Sequence, residues 1–421
     1  MAKIKPVKMG AFSGINNVVP EHELAIDAEK VGCELVNAVN VDITSRGRIR
    51  RRPGSTKLLS LPDSHSFWAT ADEQRAFFIY GAELREATYN GTTWGSTALR
   101  GGMQIGSACA FLETPDGQLF YSNGVQRGRI GVSSLREWGV EKPAAATAVA
   151  AGAGTLPLGR YQVTMTFVND LGEEGGAAQP VAIDLAVDGG IAVTLPSATT
   201  AEVVSKILYC TTPNGEVFFA VKTVPVATGS LTISSMPDGG ELETLNMDQL
   251  PAGAQLAEYN GRLYAASSNV VWYTEPYRYG LTRLGRNFVP FDGPVAVLIA
   301  SSTELWISTE TLTYGIKGDS PLEAVLDRAL PYGAIPGTGF DLPDLKSVGW
   351  FSPRGICVAM ADGVKNQTDG RIILQPYQAG RAIVRERDGV RQFIGTMKDS
   401  ASPNTLRVSD FAEAELRRKG E

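Results

Sequence analysis

The chain carries two histidines, His22 and His65, so a serine- or cysteine-based catalytic triad would have to use one of them. His22 and Glu23 begin like the zinc-protease sequence HExxH, but position 26 is Ile26, so the second histidine ligand is missing. His65 lies in a serine- and proline-containing segment typical of a loop. We therefore expect neither histidine to be catalytic.

Pairs of aspartates offer another route to hydrolysis, because glycosidases use two carboxyl groups as acid and as base or nucleophile. The candidate pairs are Asp341 with Asp344, and Asp362 with Asp369. Asp362 and Asp369 each precede a glycine, and this composition is typical of a tight turn. A carbohydrate-active propeller, either a glycosidase or a lectin-like adhesin, remains the alternative from a different functional class.

Cofactor and metal motifs are missing from the sequence, which has no GxxxxGK[ST] phosphate loop and no DxDxDG calcium loop. The four cysteines, Cys33, Cys109, Cys210 and Cys357, lie far apart and form no CxxC pair. We expect them to be buried thiols. The sequence thus predicts no catalytic residue, no cofactor and no metal, which means a protein that is not an enzyme.

The densest charge is a run of five arginines within seven residues. These candidate assembly contacts are Arg46, Arg48, Arg50, Arg51 and Arg52. Gly47 is the expected turn, after which alternate arginines share one face of a strand. Arginines of this kind bind phosphate or an acidic protein surface, although a simple exposed basic hairpin is also possible. Because the formal net charge of the chain is −6, we favour salt bridges between subunits or domains over DNA binding.

Asn-Gly and Asp-Gly pairs recur along the chain, and such pairs favour the positive φ angles of tight hairpin turns. Most lie between short runs rich in Val, Ile, Phe, Tyr and Thr, which is typical of strands. In residues 257–276 the pattern predicts a strand ending at Asn260-Gly261, a second strand over 262–266 and a third over 270–274. A similar alternation of strand-like runs and turn residues recurs in residues 68–94, 108–133, 298–318 and 349–377. Repeats of about 40 residues, each a small antiparallel sheet, indicate a β-propeller.

Residues 141–157 interrupt the repeats with a low-complexity run of Ala and Gly that predicts a linker. In the segment that follows, Tyr161, Val163, Met165 and Phe167 alternate with polar residues, which predicts a strand with one buried face. Several further short strands there suggest a β-sandwich of the fibronectin-III or immunoglobulin-like kind. The predicted domains are an N-terminal propeller region (residues 1–140), the inserted sandwich (141–247), a C-terminal propeller region (248–400) and the tail (401–421).

Helix is predicted at two places only, within residues 21–38 and in the tail at 410–419. No run of about 18 apolar residues occurs, so we expect no membrane-spanning segment. The fold class predicted from the sequence is therefore all-β, a β-propeller with an inserted β-sandwich.

Four segments carry a resemblance to podophage tail hub and nozzle proteins. They are residues 10–24 (GAFSGINNVVPEHEL), 37–58 (NAVNVDITSRGRIRRRPGSTKL), 256–276 (LAEYNGRLYAASSNVVWYTEP) and 159–175 (GRYQVTMTFVNDLGEEG). The family includes the packaged DNA stabilization hub of P22-like phages and, more distantly, the nozzle of T7-like phages. It offers no catalytic residues to transfer to this chain.

The resemblance implies a propeller subunit that forms a ring, expected to be a hexamer, below the portal and adaptor. The ring would form a channel that retains packaged double-stranded DNA and conducts it during ejection. The implied partners are further copies of the chain, the portal or adaptor, and tail fibre, spike or needle proteins. The implied location is the virion tail, after synthesis in the cytoplasm of the bacterial host. A head–tail adaptor differs from this interpretation only in position and stays open.

Overall fold

The strands of the protein fall into small sheets, most of them antiparallel. A computed structural model describes residues 11–25, 32–44, 46–52, 54, 60–62, 64–72, 74–131, 134–318, 321, 325–360, 363–375, 377–387 and 390–398. In these ranges helical structure is confined to the 3-10 turns Glu21–Glu23 and Pro343–Leu345. The prediction of an all-β protein is confirmed. None of the helical segments in the described ranges could reach across a membrane. The tail 401–421, with its predicted helix, lies outside the described residues.

The N-terminal segment forms two pairs of strands. These are β1 (Phe12–Ile15), β2 (Cys33–Leu35), β3 (Val41–Ile43) and β4 (Ile49–Arg51). β1 pairs with β2 in parallel, and β3 and β4 form an antiparallel hairpin. The helix predicted within 21–38 is wrong where the chain is described, because a 3-10 turn and then strand β2 occur there. Gly32 directly precedes β2 and has a φ of +83°, which is not a helical conformation. A Cβ there would lie 2.8 Å from the Ala11 carbonyl oxygen, so glycine is needed at this close approach.

Two four-stranded antiparallel meanders follow, and we call such a sheet a blade. Their strands are β5 (Ser64–Ala69), β6 (Ala76–Tyr80), β7 (Glu83–Tyr89), β8 (Trp94–Arg100), β9 (Ala110–Glu113), β10 (Leu119–Ser122), β11 (Arg127–Ile130) and β12 (Leu135–Arg136). In each blade the spatial order follows the chain order. Phe77 of the first blade and Phe111 of the second share one hydrophobic cluster, and the ring of Trp68 stacks on both. Consecutive meanders that pack face to face are the building pattern of a propeller.

The insert consists of two sheets that enclose one core. Its strands are β13 (Thr147–Leu156), β14 (Gly159–Asn169), β15 (Val181–Leu185), β16 (Gly189–Thr194), β17 (Val203–Thr211), β18 (Phe218–Pro225) and β19 (Ser230–Ile233). One sheet has the order β13-β16-β19 and the other β15-β14-β17-β18. Leu156 and Ile191 from the first sheet share a hydrophobic cluster with Val163 and Leu208 from the second. The assignment of this two-sheet insert to the fibronectin type stays a prediction.

One sequence prediction fails within the insert, and another is confirmed only in part. The Ala- and Gly-rich run predicted as a linker contains strand β13, because small residues let the backbones of β13 and β16 approach closely. A Cβ on Gly154 would lie 2.4 Å from the Gly189 carbonyl oxygen. The predicted apolar face of strand β14 is buried, as expected, but the middle of its other face is buried too, since Thr164 and Thr166 are equally inaccessible. The chain after β14 folds back over this second face, and Thr164 Oγ1 donates to the Ala178 carbonyl oxygen at 2.7 Å.

Three further blades follow the insert. The first consists of β21 (Gln255–Tyr259), β22 (Arg262–Ser267), β23 (Val270–Tyr273) and β25 (Phe288–Pro290). The second consists of β26 (Val295–Ala300), β27 (Leu305–Thr309), β28 (Thr313–Lys317) and β29 (Val325–Leu330). The third consists of β30 (Phe340–Leu342), β31 (Ser347–Ser352), β32 (Gly355–Met360) and β33 (Gly363–Asn366). A short pair joins β20 (Asp248–Gln249) to β24 (Leu281–Thr282), and a last hairpin joins β34 (Ala379–Arg387) to β35 (Val390–Lys398). The three strands predicted within 257–276 are confirmed.

The chain divides into two compact units. One comprises Asp63–Ala87 and Ser96–Pro290, and the other comprises Met1–Pro62, Thr88–Gly95 and Phe291–Glu421. The first unit holds the insert, most of the two blades that precede it and the one blade that directly follows it, with strands β21, β22, β23 and β25. Propeller-type blades with an inserted two-sheet element therefore make up the described fold, and the candidate site lies wholly within the first unit.

Candidate functional site

A cleft of about 350 Å³ opens where the insert meets the blades on either side of it in the sequence. We call it the junction cleft. Its lining residues are Gln118, Gly139, Val140, Gly172, Glu173, Glu174 and the segment 277–281. Its volume lies near the lower end of the range for small-ligand sites, which begins at about 300 Å³.

The floor of the cleft is the connection from the second blade into the insert. Trp138 is fully buried, and its Nε1 donates to the Tyr279 carbonyl oxygen at 3.0 Å. Gly139 packs directly on Gly280, because a Cβ on Gly139 would lie 2.5 Å from the Gly280 carbonyl oxygen. The side-chain amide of Gln249 donates to the Gly139 carbonyl oxygen at 2.7 Å. This connection is therefore fixed by an indole, a glycine pair and an amide.

One wall of the cleft is an ion pair between the second blade and the insert. Arg129 of β11 donates through both terminal nitrogens to Glu173, at 2.9 and 2.7 Å. Asn169 Nδ2 also donates to Glu173 at 2.7 Å. Burial acts to raise the pKa of Glu173, but the hydrogen bonds and positive charge of Arg129 outweigh it, so the pKa is lowered. The carboxylate therefore stays ionised and holds the insert loop against the blade.

Glu174 is held differently from its neighbour. Its Oε1 accepts hydrogen bonds from Thr166 Oγ1 at 2.7 Å and from the Tyr209 hydroxyl at 2.8 Å. Burial and the bond to Glu174 raise the pKa of Tyr209, so this hydroxyl remains a donor. No cationic side chain in the described part of the chain forms an ion pair with Glu174. Within the ranges that the structure describes, the half-buried carboxylate of Glu174 thus has hydrogen bonds from neutral side chains only.

The mouth of the cleft carries an exposed aromatic ring. Tyr277 is 80% exposed and has a φ of +55°, an uncommon conformation for a bulky residue. Its amide donates to the Gly261 carbonyl oxygen at 2.6 Å, and its ring lies over Gly261, where a Cβ would come within 2.7 Å of the ring. Asn260 and Gly261 both have positive φ, as a type I′ turn requires. The turn therefore supports one face of the ring and leaves the rest open to solvent.

Two further arginines of this region form three ion pairs. Arg136 of the second blade pairs with Asp170 and Glu202 of the insert. The hydrogen bond from Arg136 lowers the pKa of Asp170. Arg278 pairs with Glu243, so both of these cations at the cleft are already matched by carboxylates.

The arginine run predicted as an assembly contact forms the basic hairpin, residues 41–52, in the other unit. All five arginines are exposed. Gly47 is the turn, as predicted, with a φ of +70°. Asp42 lies opposite Arg50 in the register and accepts a bond from Arg52 Nε at 3.3 Å, so these arginines share one face. The role of the hairpin as an assembly contact stays a prediction.

The two histidines considered for catalysis lie in different surroundings. His22 is exposed, and its Nε2 lies 3.6 Å from Glu23 Oε1. His65 Nδ1 lies 2.9 Å from Ser66 Oγ, but Ser66 is buried in a β-bulge, and its Oγ accepts a bond from the Cys109 amide at 2.9 Å. The bulge therefore uses this hydroxyl to link the first two blades.

Three of the four aspartates in the predicted pairs lie within the described residues. Asp344 forms an ion pair with Arg391, so its carboxylate is already matched, while Asp341 lies on strand β30. Asp362 lies outside the described residues. The four cysteines are buried thiols, as predicted, and burial raises the pKa of Cys210 to about 12. No cluster of three metal-binding side chains occurs in the described ranges.

The residues of the junction cleft were not singled out by sequence. Glu173 and Glu174 occur in the run LGEEGG, which marks the end of a strand, and Tyr277 follows a proline in a turn-like segment. The signals available in the sequence were two adjacent glutamates between glycines and a tyrosine that follows a proline. Neither indicates by itself that the segments meet.

Neither a scan against protein-family models nor a search of curated proteins finds a match. Among solved structures, the chain is similar to a functionally unknown protein from Desulfotomaculum acetoxidans, with 13% identity, 76% of this chain and 91% of that chain covered, and a TM-score of 0.29. It is also similar to apo AztD from Citrobacter koseri (11%, 70% and 83%, TM-score 0.25) and to Saccharomyces cerevisiae Sqt1 (8%, 69% and 91%, TM-score 0.18). Scores this low assign no function, and the fold rests on the strand topology.

Proposed function

We propose that the protein is a structural subunit of a short bacteriophage tail, a hub or nozzle that forms a ring below the portal and adaptor. The observation that carries this proposal is the bracing of the insert. The Arg129–Glu173 pair fixes the insert to the blade before it, and the Gly139–Gly280 contact fixes the connection into the insert against the blade after it. A stiff subunit of this kind suits a ring, where small errors in subunit angle accumulate around the closure. The resemblance of residues 10–24 and 37–58 to tail hub and nozzle proteins supports the same proposal.

The charge of the chain fits a conduit for DNA. A formal net charge of −6 disfavours tight phosphate binding, and DNA must slide through a tail channel. A channel with about 6 to 10 phosphate contacts would gain about three to five decades of affinity at low salt, which would oppose ejection. In this proposal the basic hairpin makes subunit contacts, and the insert holds a tail fibre, spike or needle.

The test is electron microscopy of the purified protein, alone and mixed with its portal and adaptor. We expect closed rings, six-fold in the assembled tail, with a central channel wide enough for double-stranded DNA. A protein that stays monomeric at every concentration and does not bind the portal would contradict the proposal. A head–tail adaptor would instead lie directly against the portal in the same images.

A carbohydrate-binding function is the second candidate. The observation that favours it is that the exposed Tyr277 and the Glu174 carboxylate line the same cleft, because sugars stack on aromatic rings and donate hydroxyl hydrogen bonds to carboxylates. Its test is binding and turnover of host polysaccharides by the wild type and by Tyr277→Ala. Tyr89→Ala is the matched control, since Tyr89 is also an exposed tyrosine, at 57%. Saccharide binding that is lost only in Tyr277→Ala would favour this candidate over the conduit.

A further inference from the structure

The junction cleft has a local charge that its own residues leave unbalanced. Glu173 is matched by Arg129, and Arg278 is matched by Glu243. Among the described residues, Glu174 has only the two hydroxyl donors, Thr166 and Tyr209. Because water reaches a half-buried carboxylate only in part, a cation that entered the cleft would gain more from Glu174 than from an exposed carboxylate.

The shape and the aromatic ring of the cleft narrow the choice of cation. A guanidinium binds a carboxylate through two parallel hydrogen bonds and stacks on aromatic faces, whereas an ammonium does neither as well. Tyr277 offers such a face at the mouth, since Gly261 supports one side of its ring and the residue is 80% exposed. A volume of about 350 Å³ accommodates one or two side chains but not a folded segment. The cleft therefore fits an arginine side chain presented from a protruding element.

The chain itself presents such arginines. Arg46 and Arg48 flank Gly47 at the turn of the basic hairpin, and both are exposed. Neither forms an ion pair with another described residue. A narrow two-stranded hairpin can carry a side chain at its turn into a cleft that a flat sheet surface could not enter.

We propose that the turn of the basic hairpin of one copy docks at the junction cleft of a second copy, with the guanidinium of Arg46 or Arg48 bound between Glu174 and Tyr277. This inference rests on the proposed function, because it names the surfaces through which neighbouring subunits meet. The two surfaces differ, so the contact is head-to-tail, and repetition of one head-to-tail contact generates a ring when its rotation closes. An arginine–carboxylate contact of this kind also makes assembly weaken as salt increases.

The test measures self-association by analytical ultracentrifugation and the form of the assemblies by electron microscopy. Arg46→Glu/Arg48→Glu, Glu174→Gln and Tyr277→Ala are each expected to weaken self-association at least tenfold. Glu174→Arg should not self-associate, but its mixture with Arg46→Glu/Arg48→Glu should form hetero-assemblies because the charges are exchanged. Glu216→Arg is the matched control, since it reverses another exposed carboxylate of the insert and should associate as the wild type does. Circular dichroism establishes that each variant is folded, and Glu174→Gln keeps the test valid if Glu174→Arg does not fold.

The outcomes separate this contact from the proposed function. Rings that form equally well in the wild type and in all three weakening variants would overturn the contact and leave the ring intact. Open chains or dimers that depend on Glu174 and on Arg46 with Arg48 would support the contact and overturn the ring. Loss of portal or adaptor binding in Glu174→Gln, with self-association unchanged, would overturn the proposal and assign the cleft to that partner. A wild type that stays monomeric would overturn both.

Discussion

Arg129 and Glu173 form a bidentate ion pair in which the guanidinium is buried and the carboxylate is partly exposed. The side chain of Arg129 is 8% exposed, whereas that of Glu173 is 42% exposed. Arg129 Nε also donates to the Glu137 carbonyl oxygen at 3.1 Å, so the guanidinium is held on the blade even without its partner. Since an unpaired buried charge costs more than an unpaired exposed one, the two residues are not equivalent in stability.

Removal of the carboxylate should therefore cost more than removal of the guanidinium. We expect Glu173→Ala to lower the free energy of unfolding by about 3 kcal/mol or more, because it leaves a buried cation unpaired. Arg129→Ala should cost less in electrostatic terms, because the freed carboxylate becomes hydrated. Urea unfolding monitored by tryptophan fluorescence measures both values. Equal losses, or a larger loss for Arg129→Ala, would contradict this account of the pair.

Stability should fall in acid partly through Glu173. Its folded-state pKa is lower than its unfolded-state pKa, so its contribution is fully present above the usual glutamate value of about 4.3. That contribution is lost as the pH falls through the lowered folded pKa. Asp170, whose pKa Arg136 lowers, changes stability in the same direction. Thermal unfolding between about pH 3 and pH 7 should show a smaller acid decline in Glu173→Gln than in the wild type. An unchanged decline would remove Glu173 from the explanation.

The glycine pair beneath the cleft gives a prediction about packing alone. Gly139→Ala places a Cβ 2.5 Å from the Gly280 carbonyl oxygen, and backbone cannot move aside as a flexible side chain can. We expect a loss of about 1–3 kcal/mol in unfolding free energy. Gly285→Ala is the matched control, because no atom lies within 4 Å of its added Cβ, and it should change stability by less than about 0.5 kcal/mol. Similar effects of the two substitutions would show that the connection is not held by this contact.

The support beneath Tyr277 can be separated from backbone strain. Gly117→Ala introduces a side chain at a φ of +80° with no atom within 4 Å, so it measures the left-handed strain, about 1–2 kcal/mol. Gly261→Ala adds the same kind of strain at +69° and a clash with the Tyr277 ring. We expect the larger loss for Gly261→Ala, and we expect the excess to disappear when Tyr277→Ala is also present. Persistence of the excess in that double variant would mean that the ring does not rest on Gly261.

Local patterns in the sequence predicted the local structure well. The Asn260-Gly261 pair needs positive φ at both positions, and the apolar runs on either side form the strands expected of them. The same approach failed at 147–156, because Ala and Gly are common to linkers and to edge strands whose backbones approach closely. It also failed for the second face of β14, since that face is covered by residues further along the chain.

The junction cleft could not be predicted from sequence patterns for a related reason. Gln118, Glu174 and Tyr277 lie on segments separated by more than fifty residues, and tertiary packing alone brings them together. The positive charge of an arginine run follows from its residue types alone, so the basic hairpin could be predicted from the sequence. A carboxylate becomes unusual only through what surrounds it, and the surroundings of Glu174 come from β14 and β17.

The most direct test of the account is the symmetry of the particle that the wild-type protein forms with its portal and adaptor, determined by electron microscopy. We expect a closed ring of identical subunits, each with its insert fixed rigidly to the neighbouring blades, around a channel that admits double-stranded DNA. A monomer that does not bind the portal and that degrades a polysaccharide would contradict the proposed function.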